Sequence, residues 1–111
     1  MIPVETPEID TGQLAGAVRA GAAVVDVGEP GEYLAGHIPG ARLIPMGRLP
    51  GRTAELDRRA PVYVVCASGN RSAAMTDVLR NADFDAYSVA GGTNGWARSG
   101  RPIAGGYGPR A

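Results

Sequence analysis

Short apolar runs rich in β-branched residues alternate along this chain with segments whose apolar positions recur at helical spacing. The runs predict buried strands, and the helical spacing predicts helices that each bury one face. The predicted strands cover residues 4–6, 22–27, 42–44, 62–65 and 86–89. This alternation favours an α/β fold with a central, mostly parallel five-stranded sheet and helices on both faces.

Start and end signals divide the helical segments from the strands. Asp10 or Thr11 can cap the first helix, and Gln13 follows Asp10 at the spacing of a capping box. At the end of the helix before the last strand the chain must reverse, and Asp83 is the expected left-handed residue. The predicted helical segments are residues 11–20, 32–35, 47–59 (one or two short helices), 72–81 and 93–99.

The single cysteine, Cys66, stands where the strand at 62–65 ends and a loop leads into the helix at 72–81. Ligands of open α/β sheets bind at this edge. Backbone N–H groups of such a loop and the start of the helix stabilise a thiolate, which predicts a lowered pKa for Cys66. A lone cysteine after a Val-rich strand is more often a small buried hydrophobe. The small residues that follow, with Arg71 behind them, favour the reactive thiol, because a structural cysteine needs neither.

Composition narrows the class of protein. The 111 residues indicate one domain, and 11 basic residues balance 11 acidic ones, so net charge supports neither a nucleic-acid nor a membrane partner. One cysteine and one histidine predict no internal disulfide and no metal site. The chain shows no secretory signal and no apolar run of the ~20 residues that a membrane span needs. We therefore expect a soluble, cytoplasmic monomer.

Three segments in a fixed order carry a resemblance to a known family. The first combines Asp26, Glu32 and residues 36–41, the second is the loop at 66–72, and the third covers residues 91–96 with the Gly-Arg-Pro at 100–102. Together they resemble the single-domain rhodaneses, which are sulfurtransferases. The similarity runs from about residue 6 to residue 103.

The resemblance implies a rhodanese-like domain over residues 1–103 and a reaction through a persulfide on Cys66. Residues 104–111 lack periodicity and are expected to form a flexible tail. A donor such as thiosulfate supplies the sulfur, and cyanide, a thiol or a protein partner accepts it, without cofactor or metal. Asp26 supports the site. The implied active-site loop consists of Ala67, Ser68, Gly69, Asn70, Arg71 and Ser72.

Individual roles follow from the same resemblance. Asp26 is expected to accept hydrogen bonds from loop amides, and Asn70 tolerates a left-handed φ. Arg71 either attracts an anionic donor or anchors the loop. We expect His37 to be structural, and Trp96 to lie in the core or to cover the site.

Three positions depart from the family pattern. One is the stretch 82–84 between the helix after the loop and the next strand, where relatives usually carry a glycine. Gly28 stands where relatives usually carry arginine, which removes an expected ion-pair partner of Glu32. Ala67 stands where relatives often carry a charge, beside the incoming substrate.

Two other functions compete with sulfur transfer. Cysteine phosphatases and arsenate reductases also hold a thiolate in a loop that ends in arginine, but their loop is one residue longer than the four residues between Cys66 and Arg71. Val65 also replaces a histidine common in that class, so we disfavour it. A persulfide carrier, or an interaction or regulatory module, stays open.

Overall fold

The computed structural model describes residues 5–106. Five strands and four α-helices alternate along them, with two short 3₁₀ helices before the fourth strand. The elements are β1 (Glu8–Ile9), α1 (Thr11–Arg19), β2 (Ala23–Asp26), α2 (Pro30–Ala35), β3 (Arg42–Leu43), the 3₁₀ helices Leu49–Gly51 and Thr53–Glu55, β4 (Val62–Val65), α3 (Asn70–Asn81), β5 (Ala86–Val89) and α4 (Gly92–Arg98).

The five strands form one parallel sheet in the order β1–β5–β4–β2–β3. The register aligns Val25 with Val64 and Val64 with Ser88, so β4 lies in the middle. This confirms the predicted α/β class and the five-stranded, mostly parallel sheet. Because the strands are parallel, their carboxyl ends meet at one edge.

Side chains of β4 alternate between two hydrophobic clusters, one on each face of the sheet. Val62 and Val64 pack in a cluster with Leu79 of α3. Val65 packs in the other cluster with Leu14 of α1 and with residues of α2 and α4. Helices therefore cover both faces, as burial of a parallel sheet requires.

The first strand lies later in the chain than predicted. Its residues are Glu8 and Ile9, whereas the prediction placed an edge strand at residues 4–6; residue 4 lies outside the described part. Pro7 explains the shift, because it lacks an N–H yet its carbonyl accepts a 2.9 Å bond from the Ser88 amide. The predicted capping box is confirmed, since Asp10 and Gln13 each accept from the other's backbone N–H.

Helix α3 begins earlier than predicted and ends as predicted. It starts at Asn70 rather than at residue 72, and Gly69 is its N-cap residue with φ +111°. After the helix, Asp83 takes φ +68°, which confirms the expected left-handed residue, and Phe84 turns into the core.

The segment after α4 is held against the domain. Pro102 O accepts a 2.8 Å bond from the Trp96 indole, and Ala104 exchanges two 2.9 Å backbone bonds with His37. The Gly106 N–H also donates to the Leu34 carbonyl at 3.2 Å, so Ala104 and Gly106 are hydrogen-bonded where we expected a loose tail. Residues 107–111 lie outside the described part. No helix within residues 5–106 is long and apolar enough to cross a membrane.

Candidate active site

Cys66 follows β4 directly and lies beneath the loop that leads into α3. It exposes 1% of its surface. Its Sγ accepts hydrogen bonds from the N–H groups of Gly69 at 3.1 Å and Ser72 at 3.4 Å. The Ser72 Oγ lies 3.6 Å from the same sulfur. The loop therefore wraps polar hydrogens around a single sulfur atom.

The surroundings of the sulfur lower the pKa of the Cys66 thiol. Burial is the largest single influence and raises that pKa. The backbone N–H of Ser72, its hydroxyl, and the N–H groups of Gly69 and Ser68 act in the opposite direction and together outweigh burial. The direction agrees with the sequence prediction. It means that a larger fraction of Cys66 is ionised to the thiolate than of a free cysteine at the same pH.

One glycine sets the curvature of the loop. Gly69 takes φ +111°, a conformation that costs glycine nothing because it has no Cβ. Asn70, which we expected to tolerate the left-handed conformation, is instead the first residue of α3. The turn at Gly69 directs its own N–H to the sulfur, so the neighbouring position needs no unusual φ.

The start of α4 holds the loop from the other side. The N–H groups of Thr93 and Asn94 donate to the carbonyls of Cys66 and Ala67 at 2.9 and 3.0 Å. A Cβ on Gly92 would lie 2.2 Å from the Cys66 carbonyl oxygen, so this approach requires glycine. The sequence analysis did not predict these hydrogen bonds between α4 and the loop. The Gly-Gly pair at 91–92 is the signal that could have revealed them.

Arg71 is paired with a carboxylate from α2. Its two terminal nitrogens donate to the two oxygens of Glu32 at 2.6 and 2.8 Å. Arg71 thereby lowers the pKa of Glu32 to about 2, and Glu32 raises that of Arg71. Gly28 offers Glu32 no ion-pair partner, and Arg71 supplies one from α3 instead. The guanidinium is placed where it anchors α3 to α2.

Asp26 lies at the end of β2, on the same edge of the sheet. Its Oδ1 accepts from the Gly28 N–H at 2.8 Å and not from the amides of residues 67–72, so that expectation is wrong. The turn after β2 supplies the closer amide. Burial raises the pKa of Asp26, more than the Gly28 amide lowers it.

A cavity of about 340 Å³ opens beside the loop. Asp26 and Glu32 contribute carboxylates to its lining, which also includes Ala67, the neighbour of Cys66. Ala97 and Ile103 add apolar surface. Ile103 comes from the segment after α4, which the sequence did not associate with the site. No cluster of His, Cys, Asp and Glu in residues 5–106 could hold a metal ion.

His37 and Trp96 lie away from the sulfur, in the core. His37 is fully buried, its Nδ1 lies 2.7 Å from the Tyr33 carbonyl oxygen, and its ring stacks on that of Tyr33. Trp96 packs with Leu14 in the cluster beneath α1. Both side chains therefore stabilise the core. This is the structural role expected for His37, and for Trp96 it is the core position rather than the cover of the site.

Known proteins share this sequence and arrangement. A family model described as the rhodanese-like domain matches residues 10–99. The chain is 39% identical over 79 residues to thiosulfate sulfurtransferase GlpE of Pseudomonas putida, covering 70% of this chain and 72% of that protein. It is 40% identical over 82 residues to the uncharacterized protein YqhL of Bacillus subtilis; that match covers 70% of this chain and spans 65% of the relative's length.

A solved structure agrees with these matches. The crystal structure of a rhodanese-related protein from Thermoplasma volcanium superimposes with a TM-score of 0.83 at 33% identity. The superposition covers 88% of this chain and 97% of that one.

Proposed function

The chain belongs to the rhodanese-like domain family, and on that premise we propose that it is a sulfurtransferase working through a persulfide on Cys66. It takes a sulfane sulfur from a donor such as thiosulfate and passes it to cyanide or a thiol. The observation that carries the proposal is the set of N–H and hydroxyl groups around Cys66 Sγ.

The first half-reaction loads the sulfur. The Cys66 thiolate attacks the outer sulfur of thiosulfate, a new S–S bond forms, and the S–S bond of the donor breaks with its electron pair leaving on sulfite. The product is the anionic persulfide of Cys66. The backbone N–H groups of Gly69 and Ser72 stabilise the anion before and after this step, because they are already oriented toward the sulfur. The Ser72 hydroxyl lies 3.6 Å from the sulfur and can turn its proton toward it.

The second half-reaction unloads it. Cyanide, or a thiolate, attacks the outer sulfur of the persulfide, and the electron pair of the S–S bond returns to Cys66. Thiocyanate or a new persulfide leaves, and the thiolate is restored. The apolar surface of Ala67, Ala97 and Ile103 in the cavity suits a small acceptor or the end of an extended one.

The hydrogen bonds of the loop N–H groups disfavour a cysteine phosphatase or an arsenate reductase. The Gly69 N–H is 3.1 Å from Sγ, so it is engaged by the sulfur rather than open to a phosphate or arsenate oxygen. The short loop, with four residues between Cys66 and Arg71, leaves little room for a tetrahedral group.

A persulfide carrier is the second candidate, since it would use the same cysteine and loop and release its sulfur only to a protein partner. Mass spectrometry after incubation with thiosulfate tests both functions, and a gain of one sulfur on Cys66 is expected. Thiocyanate production then separates them, because a carrier would load sulfur without turning over with cyanide.

Cys66→Ser is expected to abolish both the added sulfur and thiocyanate production, because the chain has no second cysteine. Ser68→Ala, which retains the Cys66 thiol and the backbone N–H at 68, is the matched control and should still load sulfur. Substantial turnover by purified Cys66→Ser, or no sulfur on the wild-type protein, would contradict the proposal.

A further inference from the structure

A second buried hydroxyl lies behind the loop, on the neighbouring strand. Ser88 of β5 is fully buried, and its Oγ is 2.8 Å from the Oγ of Ser72. Ser72 is equally buried, and its Oγ also lies 3.1 Å from the Gly69 carbonyl oxygen and 3.6 Å from Cys66 Sγ. Ser88, Ser72 and Cys66 therefore form a chain of three polar groups that ends at the reacting sulfur.

Counting protons determines the directions in this chain. Each serine has one hydroxyl proton and can accept from other groups. While Cys66 is a thiol, its S–H can donate to Ser72 Oγ and Ser72 can donate to the Gly69 carbonyl. Once the sulfur is anionic it has no proton, and Ser72 must turn its own proton toward Sγ to stabilise the charge. The 2.8 Å contact then remains a hydrogen bond only if Ser88 is the donor.

We propose that Ser88 is a positioning residue for sulfur transfer: it donates its hydroxyl proton to Ser72 Oγ and so holds Ser72 as a hydrogen-bond donor to the anionic sulfur of Cys66. The role rests on the proposed function, in which that sulfur is the nucleophile. Successive hydrogen bonds polarise one another, so the Ser88 bond makes Ser72 a stronger donor. Ser88 touches no substrate and acts through Ser72.

The charged groups near the sulfur come from other elements. Arg71 of α3 and Asp26 of β2 face this region, and Glu32 of α2 pairs with Arg71. Helix α4 presents backbone N–H groups to the loop. Replacing Ser88 leaves all of these groups in place, so a change in the titration of Cys66 in that variant reports the hydroxyl chain.

The experiment measures the rate of Cys66 alkylation by iodoacetamide against pH in four proteins: wild type, Ser88→Ala, Ser72→Ala and the double variant. Ser88→Ala is expected to move the midpoint upward and to slow alkylation below it by about threefold. Ser72→Ala should have the larger effect. In the Ser72→Ala background the Ser88→Ala change should add nothing, because its route to the sulfur is gone.

An unchanged midpoint in Ser88→Ala would overturn the proposal, and so would equal shifts from Ser88→Ala with and without Ser72. The matched control is Thr76→Val, which removes another fully buried hydroxyl of α3, one without a hydrogen-bond partner in the described part of the chain. It should leave the midpoint unchanged. Ser88→Ala removes one oxygen atom and adds no bulk, so the variant is expected to fold. Ser88→Thr retains the hydroxyl and should retain the wild-type midpoint.

The assay is independent of sulfur transfer, so two failures can be told apart. Suppose that Ser88→Ala shifts the alkylation midpoint only when Ser72 is present, in a protein that takes no sulfur from thiosulfate. That result would support the hydroxyl chain and reject the proposed function. Sulfur loading together with a Ser88→Ala shift that does not depend on Ser72 would support the proposed function and reject the hydroxyl chain.

Discussion

At the scale of single residues, two carboxyl groups beside the site have pKa values that are shifted in opposite directions. The Arg71 ion pair lowers the pKa of Glu32 to about 2 from its ordinary 4.5, whereas burial raises that of Asp26 above 3.8. The Glu32 pair stabilises the fold fully above pH 4.5, and this contribution is lost as the pH falls toward 2. Since Glu32 is 44% exposed, the contribution is small, about 0.5–1 kcal/mol after solvent screening.

Asp26 should act on stability with the reverse sign. Its ionised form is disfavoured in the folded state, so it destabilises the protein above its folded pKa, and the cost fades as the pH falls through that value. Asp26→Asn is therefore expected to raise the free energy of unfolding at pH 7 by roughly 0.5–1 kcal/mol. The asparagine oxygen can still accept from the Gly28 N–H. Denaturant unfolding across pH would check this.

The pH dependence itself provides the control for Asp26→Asn. The difference from wild type should shrink in acid, where Asp26 is neutral in both folded and unfolded chains. A stability gain that is the same at all pH values would mean that packing, and not charge, is responsible. A loss at pH 7 would mean that the carboxylate has a partner that asparagine cannot replace.

At the scale of elements, a residue with positive φ flanks each end of α3. Gly69 begins the helix without a side-chain cap, whereas Asp83 follows its end with φ +68°. A left-handed backbone is strained for any residue with a Cβ. Asp83 also adds a negative charge beyond the carboxyl end of the helix, where the dipole disfavours it.

Asp83→Gly is expected to be neutral to stabilising, by at most about 1 kcal/mol, because relief of strain is offset by the greater freedom of glycine in the unfolded chain. Sulfur transfer should not change. Chemical denaturation measures the difference. Asp83→Ala is the control, since it removes the charge and keeps the strained Cβ. A gain in Asp83→Ala equal to that in Asp83→Gly would assign the effect to charge.

The turn between β5 and α4 is the least tolerant of a side chain. A Cβ at Gly92 would lie 2.2 Å from the Cys66 carbonyl oxygen and 2.6 Å from that of Ala67, at φ +60°. Gly92→Ala should therefore destabilise the fold by about 3 kcal/mol or more and displace the loop from the Thr93 and Asn94 amides.

Gly100→Ala is the matched control for Gly92→Ala. Gly100 has φ +83°, and a Cβ there would meet nothing within 4 Å. Its replacement carries the backbone strain alone, about 1 kcal/mol. Thermal or denaturant unfolding of both variants separates strain from collision, and equal losses would show that the close approach to the loop is not the cause.

Features set by neighbouring residues could be predicted from the sequence, whereas features set by distant pairs could not. The Asp10–Gln13 capping box and the reversal at Asp83 depend on residues within one turn, and both were predicted. The start of α3 was missed by two residues, because Gly69 gives its helix no side-chain cap to recognise.

At the scale of the whole molecule, the site is assembled from elements far apart in the sequence. Glu32 and Arg71 are 39 residues apart, and the bond from Ser72 to Ser88 crosses from α3 to β5. The alternation of elements predicts the sheet and the edge at which Cys66 lies. It does not predict which side chain from another element faces it, so the partners of Arg71 and Asp26 required the structure.

The pairing of β1 with β5 orders the events of folding. Ile9 pairs with Val89, so the first strand within residues 5–106 is completed only when the last strand of that part docks, and such distant pairing is slow to form. The same late segment carries Ser88, Thr93 and Asn94, which hold Ser72 and the loop. Until residues 88–94 dock, a nascent or refolding chain therefore lacks the contacts that hold Ser72 and the loop around Cys66. In refolding from denaturant, the full thiolate reactivity of Cys66 should return with the slowest phase.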